Sequence, residues 1–381
     1  MTDDAVAFEE EMRFRHHLAR LPVLTLVAVA CNAALYFFVV HRSQGLEANL
    51  PHLLLLGGAK VNSLIREGEL WRLLAAAFLH GSFWHMTMNI LGILALGWYV
   101  ENAAGPYLYT VIYLGSAAGA AGASFLIGDV TSVGASGVLF GLMGAAAAWT
   151  LRHWRRLPGV LRTYALLIPA AAAAASLFYG WSLETVDSGA HLGGFASGAI
   201  LGSLAPFSRT GRRGESPFTL AVALVGLVLL VSTLATMVDR LNLHLPPLAP
   251  RLELIETGDR IVLGPTGPLW RRGRLDDANQ CISSPELVPG EVLESGGVLC
   301  YIDPYFTAVL IGTEERLARV PMYQEAFLRE HGDAPRTFKA MEFLFHTRGD
   351  GMVTGLAVFR PLLPRYTPLY QALGTAEPKP D

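Results

Sequence analysis

Charged side chains are scarce in this 381-residue chain: Asp, Glu, Lys and Arg together make up 16%, where an ordinary soluble domain carries about 25%. Apolar residues make up 52% and the mean hydropathy is +0.38. That balance excludes a purely soluble globule and implies a polytopic membrane protein. The net charge is only −3 and no basic block occurs, so the electrostatic footprint of a nucleic-acid binder is lacking. Cysteine is sparse too. Cys31, Cys281 and Cys300 lack the CxxC spacing of a zinc site, and no metal is expected. The opening stretch has no basic start of the kind a signal peptide needs: Asp3, Asp4 and Glu9 to Glu11 mix with Arg13 and Arg15. Residues 1–19 are read as a cytoplasmic tail. No internal repeat is evident.

Long apolar runs are what the chain does have. Residues 21–40 give about 20 apolar positions, enough to cross a ~30 Å hydrocarbon core. Further spans are expected at 83–99, 106–127, 136–151, 160–179, 189–204 and 217–238, a six-plus-one layout. Residues 41–79 interleave apolar and charged side chains around Trp71, which suits a loop lying at the membrane interface. The span starting at Ser136 is short, about 24 Å at 1.5 Å per residue. Arg152, Arg155 and Arg156 hold its far end at a membrane face, so the end carrying Ser136 is the sunken one. The loop 128–135 must then dip into the bilayer, which irregular backbone tolerates only beside a wet cavity or within protein. Pro169 and an alanine run make 160–179 a candidate mobile wall. Basic loops at 152–162 and 209–213 mark the cytoplasmic face. An odd span count then places residues 240–381 outside, beyond the proline-rich linker 245–250. That region has ordinary soluble composition and reads as an α+β domain, with strands at 260–263, 298–302 and 308–311 and helices at 314–330 and 338–345.

Two polar motifs stand out against the apolar background. Gly134-Ala135-Ser136-Gly137 opens one span and Ala190-His191-Leu192-Gly193-Gly194 lies in another. Ionisable groups at membrane depth face a bundle interior or a water-filled cavity and are functional candidates by default. Ser136 has the chemistry of a nucleophile and His191 that of its base, with the Ser136 N–H at a helix start suited to a developing oxyanion. His85 and Asn89, four apart, share a helix face and can add donors. Gly137 with Gly141, and Gly194 with Gly198, form two GxxxG pairs that let the two helices touch backbone to backbone. No acidic residue with an evident path to His191 stands out, so a two-residue Ser-His arrangement is expected. His80 is expected to hold the loop through hydrogen bonds.

Trp71-Arg72, His80, His85, Asn89, Glu101, the GASG at Ser136, and Ala190-His191 with Gly194 and Gly198 follow the order and spacing of a known pattern. Over residues 20–239 the chain resembles the rhomboid family of intramembrane serine proteases. The resemblance implies an all-α membrane bundle, a Ser136–His191 dyad, His85 and Asn89 as oxyanion-stabilising side chains, and Arg72 and Glu101 as structural anchors. It also implies no cofactor, transmembrane proteins as substrates, and the lipid bilayer, that of a bacterial inner membrane, as the working environment. Phe140 departs from the pattern, since many bacterial members have tyrosine there; an aromatic stack under the histidine survives without the hydroxyl. The rival readings are an inactive relative that binds membrane clients and a transporter or channel, the latter lacking an inverted repeat or a chain of acidic residues. In the outer domain, Cys281 and Cys300 are expected to pair as a disulfide, because that compartment is oxidising.

Overall fold

In a computed structural model the chain is described at residues 21–43, 50–66, 68–128, 130–157, 162–163, 167, 187–205, 216–242, 271–275, 281–283, 297–302, 307–331, 341–347 and 351–375. It divides into two compact units, Met1–Arg42 with Leu53–Leu241, and Ser43–His52 with Asn242–Asp381. The helices of the N-terminal part are α1 Val23–Arg42, α2 Leu50–Gly57, α3 Asn62–Arg66, α4 Arg72–Ala75, α5 Phe83–Ala104, α6 Pro106–Ile127, α7 Ser136–Arg152, α8 Ser188–Ser203 and α9 Pro217–Leu241. Helices α1, α5, α6 and α9 are long and apolar enough to cross a membrane. Helices α7 and α8 have 17 and 16 residues, about 25 Å each at 1.5 Å per residue and shorter than a ~30 Å core. Helices thus fill six of the seven expected ranges. The seventh, 160–179 with Pro169, falls almost wholly outside the described residues. The interfacial stretch 41–79 is largely short helix rather than open loop.

Local signals set these boundaries. Ser82 is extended and its side chain accepts the His85 N–H, capping α5. Gly105, at φ +92°, turns the chain after α5, and Pro106 then starts α6 where no N–H is needed. Glu101, near the end of α5, caps a different helix: its carboxylate accepts the N–H groups of Leu24 and Thr25 and the Thr25 hydroxyl at the start of α1. A carboxylate at that end also meets the positive pole of the α1 dipole.

Glycine packs α8 between α6 and α7. A Cβ on Gly194 would lie 2.0 Å from the Gly137 carbonyl oxygen, and one on Gly198 would lie 1.9 Å from that of Gly141. On the other side a Cβ on Gly193 would come within 2.5 Å of the Gly119 carbonyl oxygen. No side chain fits in these contacts, so the helices meet through backbone. Helix α9, by contrast, exposes Phe218, Val225 and Val228, the apolar outer surface of a lipid-facing helix.

The C-terminal unit holds a six-stranded antiparallel sheet, in the order β2-β1-β3-β4-β6-β5. The strands are β1 Arg271–Leu275, β2 Cys281–Ser283, β3 Leu299–Ile302, β4 Ala308–Thr313, β5 Met341–Thr347 and β6 Met352–Phe359. Short helices α10 Glu314–Leu317 and α11 Pro321–His331 follow β4, and α12 Leu363–Thr375 ends the described chain. Leu317, Val320, Tyr323 and Ala326 pack on Cys300, Leu310, Phe343 and Val353 from one face of the sheet. Two expectations need correction. Of the segment 338–345, the described part from Met341 is strand and not helix: Met341 to Thr347 pair residue by residue with β6, because Phe343 and Phe345 alternate with the period of a strand. The expected helix 314–330 is broken before Pro321, whose ring suits the first turn of α11 and not a helix interior. Residues 260–263 lie outside the described residues.

Candidate active site

Ser136 is the first residue of α7, and Ala135 before it makes no side-chain cap. The first intrahelical bond there runs from Leu139 N–H to the Ala135 carbonyl, which leaves the N–H groups of Ser136, Gly137 and Val138 without helical acceptors. The close approach of α7 and α8 brings His191 across to this end. Its Nε2 lies 3.0 Å from Ser136 Oγ, within hydrogen-bond distance. Phe140, one turn along α7, stacks on the His191 ring at 4.3 Å between centroids and 7° between planes, which fixes the plane of the imidazole.

Ser136 and His191 line a cavity of about 440 Å³ shared with His85, Asn89, Lys60 and Asp187. Gly134 holds φ +134°, and a Cβ there would sit 2.6 Å from the His85 ring. The backbone angle and the close ring both demand glycine. The Gly134 N–H is tied to the Ala76 carbonyl at 2.9 Å, so the turn into Ser136 is held in place. Asn89 is buried and gives one amide hydrogen to the His85 carbonyl at 3.0 Å; its second remains for the cavity.

His80 corrects an expectation. It is buried beside His85, with ring centroids 5.2 Å apart at 75°, and neither ring nitrogen has a hydrogen-bond partner among the described residues. Among the described residues it packs on His85 and makes no ring hydrogen bond. Burial, with the charge of His85 as the lesser cause, pushes its pKa down to about 3, so it stays neutral.

The same stretch of chain matches a known family. Residues 67–206 fit the profile described as the Rhomboid domain. The chain is 29% identical over 206 residues to "Rhomboid protease GluP" of Bacillus subtilis (strain 168), covering 54% of this chain and 39% of that one. It is 33% identical over 171 residues to "RHOMBOID-like protein 5" of Arabidopsis thaliana, covering 44% and 54%. It is also 28% identical over 143 residues to "Inactive RHOMBOID-like protein 8" of the same plant, covering 37% and 40%. The chain carries a Rhomboid domain over residues 67–206. It is an integral membrane protein, and it spans about two-fifths to one-half of the lengths of these relatives.

Within the rhomboid domain Arg72 and Glu101 do not line the cavity. Arg72 is buried, donates to the carbonyls of Leu55 and Ala59 at 2.7 and 2.9 Å, pairs with Glu69 at 2.7 Å and lies over Trp71. It gathers α2, the turn after it and α4 around one guanidinium. Lys60 was not expected at the site. It is fully buried and donates to the carbonyls of Gly128 and Val130, while its backbone bridges Ser132, so it fastens the loop before Ser136. Asp187 is the acidic residue that sequence reasoning missed. It caps α8 by accepting the Ala190 N–H at 2.9 Å and accepts the Ser124 hydroxyl from α6. The signal for it was present: an Asp immediately before the small residues that open a helix is an N-cap pattern.

Proposed function

We propose that this rhomboid-family chain is an intramembrane serine protease that cleaves transmembrane segments of membrane proteins, with Ser136 as nucleophile and His191 as general base. The 3.0 Å contact between Ser136 Oγ and His191 Nε2 carries this reading, because a nucleophile and base within that reach are what acyl transfer needs. Nε2 takes the hydroxyl proton as Oγ attacks the scissile carbonyl, and the carbonyl π pair moves to oxygen. The Ser136 N–H, Asn89 and His85 are the donors for that oxyanion. The imidazolium returns its proton to the leaving amine, and water then opens the acyl-enzyme by the same route in reverse.

The bundle is read as six-plus-one spans, with residues 1–19 cytoplasmic and 240–381 extracytoplasmic, in a bacterial inner membrane. Substrates reach the cavity from the bilayer and no cofactor takes part. A serine-directed fluorophosphonate tests the reading: it labels the wild type and leaves Ser136→Ala unlabelled. Equal labelling of both would remove Ser136 from the mechanism. The second reading is a client-binding protein without activity, motivated by the likeness to a relative named inactive. It predicts no labelling of the wild type and no cleavage of a transmembrane substrate.

A further inference from the structure

Asp187 stands one turn before His191 on α8, and three bonds converge on it. One carboxylate oxygen accepts the Ala190 N–H at 2.9 Å and the other accepts the Ser124 hydroxyl from α6. Its own carbonyl accepts the His191 N–H at 3.2 Å. The residue is partly buried and is the one acidic side chain lining the cavity among the described residues. A cap alone does not explain a carboxylate here, since serine or asparagine caps a helix equally well and an ionised group is disfavoured away from water. The helix dipole offsets part of that penalty.

The rest of the answer lies on the ring that carries the proton. His191 Nδ1 is buried and has no hydrogen-bond partner among the described residues. When Ser136 gives its proton to Nε2, the new positive charge therefore has no partner in contact among the described residues and is balanced through space. The charged and titratable groups facing that cavity are His85 from α5, Lys60 from the loop after α2, and Asp187; α7 contributes Phe140 to the ring and no charge. Among the described residues that line it, only Asp187 has the sign required. We infer that Asp187 is a positioning residue for the Ser136–His191 pair: it holds the first turn of α8 against α6 and steadies the His191 imidazolium. The proton moves only between Ser136 Oγ and His191 Nε2. Because the imidazolium exists only in the transition state and intermediates, this interaction speeds the chemical step without tightening substrate binding.

The inference rests on the protease reading and is tested in the full-length protein in liposomes with a model transmembrane substrate. Asp187→Asn keeps a capping side chain and removes the charge, whereas Asp187→Glu keeps the charge on a side chain less suited to capping. The expected result is a kcat lowered about tenfold to hundredfold in Asp187→Asn with KM unchanged, and a kcat partly restored in Asp187→Glu. A cap with no electrostatic role predicts the opposite order, Asp187→Asn at or near wild type and Asp187→Glu impaired, and that order would overturn the inference. If Asp187→Asn does not fold, Asp187→Ser replaces it, with the same two outcomes read against Asp187→Glu. A wild type that neither cleaves nor takes the fluorophosphonate sinks the protease reading instead, so the two failures are distinguishable.

Discussion

A hydroxyl at a helix start, an imidazole under an aromatic ring and a buried amide each sit where a different local cause put them. Ser136 follows a glycine that alone tolerates φ +134° beside the His85 ring, and His191 is flattened against Phe140. The Asn89 amide is the side-chain donor with a hydrogen to spare, so Asn89→Ala should lower kcat by roughly 10²-fold, as losing one oxyanion donor does, while Ser136→Ala and His191→Ala abolish cleavage. An Asn89→Ala enzyme at wild-type rate in the liposome assay would take Asn89 out of the oxyanion hole. His80 makes a prediction about stability. Unfolded, its imidazole titrates near 6.5, and in the native protein it is pushed down to about 3. Between those values the unfolded chain binds a proton that the native chain excludes, so this contribution is intact above about pH 6.5 and fades as pH falls toward 3. Thermal unfolding in detergent from about pH 7 to about pH 4 should therefore fall more steeply for the wild type than for His80→Phe; parallel curves would rule the effect out. At this scale the motif residues were legible because glycine, serine and histidine are conspicuous in an apolar run. Asp187 and Lys60 were not, because their roles depend on Ser124, Gly128 and Val130, brought to them only by the fold.

Elements were legible wherever one period ran uninterrupted. Helices α5 to α9 fall close to their expected ranges because each is an apolar run bounded by a cap, a glycine or a proline. The reading failed where patterns overlapped: residues 338–345 are too short for periodicity alone to separate strand from helix, and only pairing with β6 decides. The contact of α7 with α8 was visible as two GxxxG pairs, and the structure adds how little room remains. A methyl at Gly198 would meet the Gly141 carbonyl oxygen at 1.9 Å, so backbone and not a flexible side chain must move. Gly198→Ala should destabilise the bundle by about 1–3 kcal/mol, the range for overpacking. It should also reduce cleavage, because the shift separates the helices that carry Ser136 and His191. A variant with unchanged thermal stability in detergent would show that α8 moves aside without cost. Gly122 on α6 is different: it has open space where a Cβ would go and offers the control substitution.

The molecule as a whole joins a bundle with lipid-facing helices to a unit built on a sheet, and each half has its own compartment logic. The topology we propose puts the basic loops at 152–162 and 209–213 in the cytoplasm and, with an odd number of spans, residues 240–381 on the other side. An alkaline phosphatase fused after Pro250 should be active, and inactivity there would take one span out of the count. Cysteine chemistry tests the same placement independently. Cys31 is a free thiol, whereas Cys300 is disulfide-bonded, and the chain has three cysteines, so the partner we propose is Cys281. Strand β1 pairs with β2 on one side and β3 on the other, which puts Cys281 and Cys300 on the two strands flanking a single neighbour. Such a bond persists where the compartment is oxidising and is rare in the cytosol. Closing a loop of about 20 residues contributes about 3 kcal/mol in the chain-entropy account, a large share of the ~5–15 kcal/mol that holds a domain together. Cys281→Ser should therefore lower the stability of the C-terminal unit while leaving the bundle's labelling by fluorophosphonate intact. Mass spectrometry of the unfolded, non-reduced protein decides the pairing: one alkylated cysteine, Cys31, is expected, and alkylation of all three would dismiss both the bond and the compartment it implies.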